Sequence, residues 1–271
     1  MTAQSFSPQG GSARQARSDD ADPVMGRFNG DAARLLSRCC IFLDLDGTLI
    51  ESSDNPIGLK GDAKLTALLQ RAADALNGAL AVVSGRSLAT LDAMLAPLRL
   101  PASGIFGLER RDAGGVLHSK AVSVRALDPV RDIFADFAAE SPGLIVEDKG
   151  TAVALHFRRA PAFGAASLRV AHATAAMLGP QFQVVAGTMV VEITLSGTNQ
   201  ATAIEEFLRE PPFAGRIPIA LGDDICDRDA FAAANRHGGF TVAVGSRISG
   251  DYHLEDCRAA RRWLSVLVGV E

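Results

Sequence analysis

Lysine is scarce in this chain of 271 residues, occurring only at positions 60, 64, 120 and 149, and the formal net charge is -4. That balance leaves none of the electrostatic footprint that DNA or RNA binding demands, so nucleic acid is excluded as a partner class. No stretch reaches the roughly 18 uninterrupted apolar residues of a membrane span, and no membrane partner is expected. The four cysteines, Cys39, Cys40, Cys226 and Cys257, show neither CxxC nor Cys/His zinc spacing. Two of them lie in an apolar run, so a reducing cytoplasm fits better than a disulfide framework. Residues 1–30 lack an apolar h-region and are rich in Gly, Ser, Gln, Arg and Asp, which reads as a disordered tail rather than a signal peptide.

Apolar material is plentiful, at 48% of residues, enough for one large domain or a core with a smaller companion. Strand-like runs at 39–45, 79–83 and 103–106 alternate with helical periods at 61–76 and 87–95, the rhythm of a parallel sheet with crossover helices. Turn residues between 107 and 118 predict a hairpin. The order then changes to helix 129–140, strands 144–148 and 151–157, helix 162–178, and strands 181–186 and 189–195. That segment predicts a small α/β layer with antiparallel pairs. The parallel rhythm resumes with helix 198–209, strand 217–221, helix 227–235, strand 239–244 and helix 255–268. The expected organisation is a parallel-sheet core over 37–118 and 196–271, with 119–195 inserted as a second domain.

The most informative stretch is Asp44-Leu45-Asp46-Gly47-Thr48-Leu49-Ile50, which follows the apolar run from Cys39. Side chains at i and i+2 of a strand share a face, so Asp44 and Asp46 are expected to stand together at a strand end. Two carboxylates about 4 Å apart repel by roughly 4 kcal/mol at an effective dielectric near 20, which demands a proton or a cation. Ala220-Leu221-Gly222-Asp223-Asp224-Ile225-Cys226-Asp227 repeats the pattern of an apolar strand ending in Gly and carboxylates. Ligands bind beyond the carboxyl ends of parallel strands, so Asp44, Asp46 and Asp223 are candidates to surround one hard cation, Mg²⁺. A third strand end, Val82-Val83-Ser84-Gly85-Arg86-Ser87, offers hydroxyls and helix-start N–H groups suited to an anion, with Ser84, Gly85 and Arg86 as its residues.

In this order, the DxDGT, SGR and GDDxxD elements resemble those of the haloacid dehalogenase-like phosphatases. Within that superfamily, residues 38–268 resemble the trehalose-6-phosphate phosphatases, through Gly107–Asp112, Glu147–Gly150, Ala154–Arg158, Val190–Ile193 and Gly197-Thr198. The resemblance implies a Rossmann-like α/β core with an α/β cap that selects substrate. It implies Asp44 as nucleophile, Asp46 as acid and base, and Mg²⁺ held by Asp44, the Asp46 carbonyl and Asp223, with Asp224 and Asp227 behind them. Thr48 and Ser84 would bind phosphate; Glu147, Lys149 and Glu192, with Arg110 and His156, would bind the sugar. The implied activity is hydrolysis of trehalose 6-phosphate through an aspartyl-phosphate, the last step of trehalose synthesis, by a cytoplasmic monomer. Connections near 119–127 and 194–198 are expected to act as hinges for the cap.

One position departs from the family. Gln200 stands where a lysine normally pairs with the nucleophile and the bound phosphate, and no lysine follows Lys149. Gln supplies a neutral donor, and losing one preorganised donor costs about a hundred- to a thousandfold in kcat. Arg228 or Arg86 is the expected replacement cation. The alternatives are a phosphatase of another sugar phosphate, or a catalytically impaired sugar-phosphate-binding protein.

Overall fold

The computed structural model describes residues 31–51, 62–120 and 123–269, so the tail expected over 1–30 lies outside the described residues. Cys39–Leu43 form β1, buried at every position. A strand covered on both faces reads as a continuous apolar run, and that is why this one sits at the centre of its sheet. It pairs in parallel with β2 (Leu80–Val83) on one side and with β10 (Ile217–Gly222) on the other. Outward from β2 come β3 (Ala102–Gly104), β4 (Glu109–Arg111) and β5 (Leu117–Ser119). Outward from β10 come β11 (Phe240–Val244) and β12 (Tyr252–Leu254), completing an eight-stranded sheet. Only β3–β4 and β4–β5 are antiparallel, which is the hairpin that the turn residues predicted.

The crossover helices begin where the sequence offers side-chain acceptors. Asp62 accepts from Lys64 N at the start of α2 (Ala63–Ala75), and Ser87 accepts from Thr90 N at α3 (Leu88–Leu95). Such caps satisfy backbone donors that the first helical turn leaves unpaired. After β5 the chain leaves the large sheet. It forms α4 (Asp128–Ala139), β6 (Ile145–Asp148), β7 (Val153–His156), α5 (Gly164–Leu178), β8 (Phe182–Gly187) and β9 (Val190–Leu195). These strands make a four-stranded antiparallel sheet of order β6-β7-β9-β8, with its own apolar core around Phe134, Leu155, Val191 and Ile193. The chain returns through α6 (Gln200–Phe207), which carries a capping box between Asn199 and Thr202, and ends with α7 (Arg228–Arg236) and α8 (Cys257–Leu267). Ile105, Leu108 and Ala152 pack with Leu195 where the two layers meet.

Two elements differ from the sequence expectation. β1 stops at Leu43, so Asp44 and Asp46 lie in the turn that follows it instead of within the strand. The strand expected over 103–106 ends at Gly104, because Ile105 and Phe106 take φ of 47° and 50° and enter a short 3-10 turn. The first helix, α1 (Ala32–Arg38), and the three-residue β12 were not predicted; each is too short to register as a period. Among the described residues, no helix is long and apolar enough to cross a membrane.

Phe42, Phe207 and Phe213 are fully buried beneath the sheet, with ring centroids 5.0 to 6.0 Å apart. Phe213→Ala is expected to cost about 3–5 kcal/mol, read as a lower denaturation midpoint with an unchanged far-ultraviolet spectrum at low denaturant.

Candidate active site

Sheet register sets the site. Leu43 lies opposite both Leu221 and Val82, so the chain emerges side by side at Asp44, Gly222-Asp223 and Val83-Ser84. The Asp44 N–H still donates to the Leu221 carbonyl at 3.1 Å, which fixes the turn against β10. Gly47, at φ +88°, lies so close to Asp223 that a Cβ there would meet its carboxylate at 2.2 Å. Gly222 is equally constrained, since a Cβ would come within 2.5 Å of the Asp227 side chain. Both glycines let carboxylates close in where any other side chain would hold them apart.

Asp44, Asp223 and Asp227 each present an oxygen, all within 4.8 Å of one another. Burial, then the charges of Asp227, Asp46 and Asp223, raise the Asp44 carboxyl well above its usual range. Burial and Asp227 push Asp223 up to about 7, against the opposing pull of Arg247 and Thr48. Asp227 rises to about 6 through burial, moderated by hydrogen bonds from backbone N–H groups and from Gln200. Three carboxyls made reluctant to ionise chiefly by burial, with neighbouring carboxylates adding to it, form an oxygen donor set suited to a hard divalent cation.

Asp46 stands outside this group. Arg86 holds its carboxylate through Nε and Nη2, the latter at 2.8 Å, so the positive charge that the acidic pair called for comes to Asp46 from a side chain. Asp227, expected behind the metal site, is part of the cluster itself, and it also accepts from the N–H groups of Asp223 and Asp224. Asp224 is turned away: its Oδ1 accepts from Ile225 N and its Oδ2 accepts from Thr188 N in the β8–β9 turn. It ties the smaller layer to the larger one.

One cavity of about 150 Å³ runs from these carboxylates to the smaller sheet. Asp44, Asp46, Ser84, Gly85, Arg86 and Asp223 line its floor, and Glu147, Lys149, His156 and Glu192 line its roof. Lys149 pairs with buried Glu192 and donates to the Gly85 carbonyl at 2.8 Å, a second tie between the layers. His156 Nε2 meets Glu147 at 2.8 Å. Burial raises the Glu147 carboxyl, but His156, Lys149 and Arg86 outweigh it and the net shift is downward. Glu192 goes the other way, because burial exceeds the pull of Lys149.

Five sequence candidates do not line the cavity, Asp227 behind its floor among them. Thr48 is fully buried and donates to Asp223 Oδ1 at 3.3 Å. Gln200 is buried behind the cluster, with Nε2 on Asp227 Oδ1 at 3.0 Å. Arg110 pairs with Glu206 and Glu210 and lies over the Phe207 ring, away from the cavity, because β4 faces α6 there. Arg228 is exposed at the start of α7 and does not line the cavity. Conversely, Phe106, Arg158, Thr188, Cys226 and Arg247 line it without having been singled out as site residues. Arg247 lies just beyond β11, the strand beside β10. The one available signal was that loops after neighbouring parallel strands open on the same edge.

Asp223 is harder to ionise folded than unfolded, so its penalty is absent below about pH 4 and grows as pH rises through about 7. In divalent-free buffer, the stability of the wild type relative to Asp223→Asn is therefore expected to fall between pH 5 and 8. Paired denaturation midpoints measure it, and a difference that rises with pH contradicts it.

A profile described as Trehalose-phosphatase matches residues 42–257. The trehalose-6-phosphate phosphatase of Escherichia coli (strain K12) is 40% identical over 220 residues, covering 80% of this chain and 81% of that protein. A solved C. albicans trehalose-6-phosphate phosphatase C-terminal domain superposes with a TM-score of 0.73 at 22% identity, over 89% of this chain and 96% of that one, a likeness of fold. A solved trehalose-6-phosphate phosphatase related protein gives 0.72 at 26% identity, over 85% and 97%. With its carboxylate floor, polar roof and a profile match across both layers, the chain belongs to the trehalose-phosphatase family, on a haloacid dehalogenase-type fold.

Proposed function

We propose that the chain hydrolyses trehalose 6-phosphate to trehalose and inorganic phosphate, with the smaller layer acting as a cap that recognises the sugar. The supporting observation is the single cavity whose floor carries Asp44, Asp46 and Asp223 and whose roof carries Glu147, Lys149, His156 and Glu192. Carboxylates and an ammonium make charge-assisted hydrogen bonds to vicinal hydroxyls, which an apolar roof would not.

Asp44 acts as nucleophile. Its oxygen attacks phosphorus in line, the bond from phosphorus to the sugar oxygen breaks, and Asp46 gives its proton to the leaving oxygen. Asp46 then takes a proton from the water that cleaves the aspartyl-phosphate, which restores Asp44 and releases phosphate. Arg86 occupies both Asp46 oxygens, so one oxygen first leaves the guanidinium fork and takes a proton from solvent for the leaving group, and the proton taken from water in the second half reloads it. Ser84, whose Oγ accepts from Arg86 N, and the Gly85 segment flank the phosphate position. Asp44, Asp223 and Asp227 would hold magnesium, which when bound offsets charge on the phosphoryl oxygens. The reaction needs water excluded and then admitted, and the ties at Gly85 and Thr188 are the contacts that cap opening would break. We place this chemistry in the cytoplasm, in a monomer, consistent with four cysteines that are all free thiols.

The deciding measurement is phosphate release from trehalose 6-phosphate, compared with glucose 6-phosphate and p-nitrophenyl phosphate. Asp44→Asn is expected to lower turnover on all three by at least about 10⁴-fold. Glu147→Ala is expected to lower kcat/KM for trehalose 6-phosphate about 10- to 100-fold and to affect the aryl phosphate less. Equal losses on both substrates would remove Glu147 from sugar recognition. Magnesium affinity, read by calorimetry, is expected to fall as pH drops through about 7, since raised carboxyls must lose protons to bind it.

A further inference from the structure

The cavity holds a charge problem that neither Gln200 nor Arg86 solves. Gln200 is neutral, is 2% exposed, and spends its amide on Asp227 behind the cluster. Phosphoryl transfer at Asp44 needs a cation near the phosphoryl oxygens, because positioning and charge neutralisation supply most of the catalysis. Four guanidinium or ammonium groups line the cavity: Arg86, Lys149, Arg158 and Arg247. Arg86 is committed through its fork to Asp46. Lys149 is held in the roof by Glu192 and the Gly85 carbonyl, and Arg158 donates to the Thr188 carbonyl at 3.3 Å. Arg247 differs in both place and freedom. Its Nη2 lies 2.8 Å from Asp223 Oδ2, inside the acidic cluster, yet its side chain is 41% exposed and so has room to change rotamer.

We propose that Arg247 is the cation that meets the transferred phosphoryl group in this chain, filling the role for which Gln200 carries no charge. Asp44 and Asp223 present oxygens within 4.8 Å of each other, so a guanidinium already on Asp223 is within a rotamer change of a phosphoryl group at Asp44. Thr48 takes Asp223 Oδ1 and Arg247 takes Oδ2. Turning to the phosphate would free Asp223 Oδ2 from Arg247, leaving that oxygen available as one that would hold a divalent cation. Arginine suits this exchange, since its planar fork matches phosphate oxygens as well as carboxylate oxygens. The inference rests on the phosphatase reading but not on the identity of the sugar.

The test uses the full chain, with Arg247→Ala, Arg247→Lys and the double variant Arg247→Ala/Gln200→Lys. Calorimetry measures the affinity of inorganic phosphate in magnesium buffer and, separately, that of magnesium alone; p-nitrophenyl phosphate reports turnover without any sugar. Arg247→Ala is expected to weaken phosphate binding about 10- to 100-fold and to lower kcat/KM about a hundredfold, with magnesium affinity unchanged or tighter. Arg247→Lys is expected to keep part of the phosphate affinity, and the double variant to recover part of what Arg247→Ala loses. Phosphate affinity within twofold of wild type in Arg247→Ala would overturn the proposal. So would a loss of magnesium affinity in step with phosphate affinity, because that marks a residue that merely steadies Asp223. If aryl phosphate turnover and these affinities behave as expected while trehalose 6-phosphate is not hydrolysed, the sugar assignment fails and the role of Arg247 stands.

Discussion

Mutual repulsion among carboxylates held in one enclosed place is the constraint on which the rest of this structure depends. Asp44, Asp223 and Asp227 come together at the ends of two neighbouring parallel strands, and burial first, with neighbouring carboxylates second, makes each harder to ionise. A close pair of unit charges costs roughly 4 kcal/mol at an effective dielectric near 20, so such a group persists only with compensation. The surroundings supply it in pieces. Backbone N–H groups and Gln200 serve Asp227, Thr48 and Arg247 serve Asp223, and Arg86 serves Asp46. Two glycines without Cβ atoms make the approach sterically possible.

The smaller layer is coupled to the same electrostatics. Asp224 extends its carboxylate from the acidic loop to a backbone N–H in the β8–β9 turn, and Lys149 reaches from the roof to a carbonyl at Gly85 in the turn after β2. Each tie joins a group in the roof to the loop after a core strand. On the proposed reading, closure would set the polar roof over the Ser84 turn in a single movement, as an enzyme needs if water is to be kept from Asp44 until the sugar has left.

Much of this was legible in the chain. Continuous apolar runs marked the buried parallel strands, and the change of rhythm after residue 119 marked the antiparallel layer, because periodicity reports which faces are covered. The acidic strand ends at Asp44 and Asp223 and the Ser84 turn were readable for the same reason: parallel strands deliver their following loops to one edge. The roles of Arg110, Thr48 and Gln200 were not readable. All three sit in motif-like stretches, but their side chains go to Glu206 and Glu210, to Asp223 and to Asp227, and that depends on how α6 and the acidic loop pack. Arg247 left only the weak signal of its place after β11, being one arginine after a glycine and a serine in a loop.

The sequence by itself determined which strands are central, where the chain turns with carboxylates at hand, and that Gln200 stands where the family resemblance implies a lysine. Only the tertiary structure decided how the charges are shared: Arg86 to Asp46, Arg247 to Asp223, Asp227 into the cluster and Asp224 out to the roof. The physical reason is range. Hydrophobic periodicity is set by near neighbours along the chain and survives in one dimension, whereas an ion pair or side-chain hydrogen bond is set by distance in space between residues 40 or 175 positions apart.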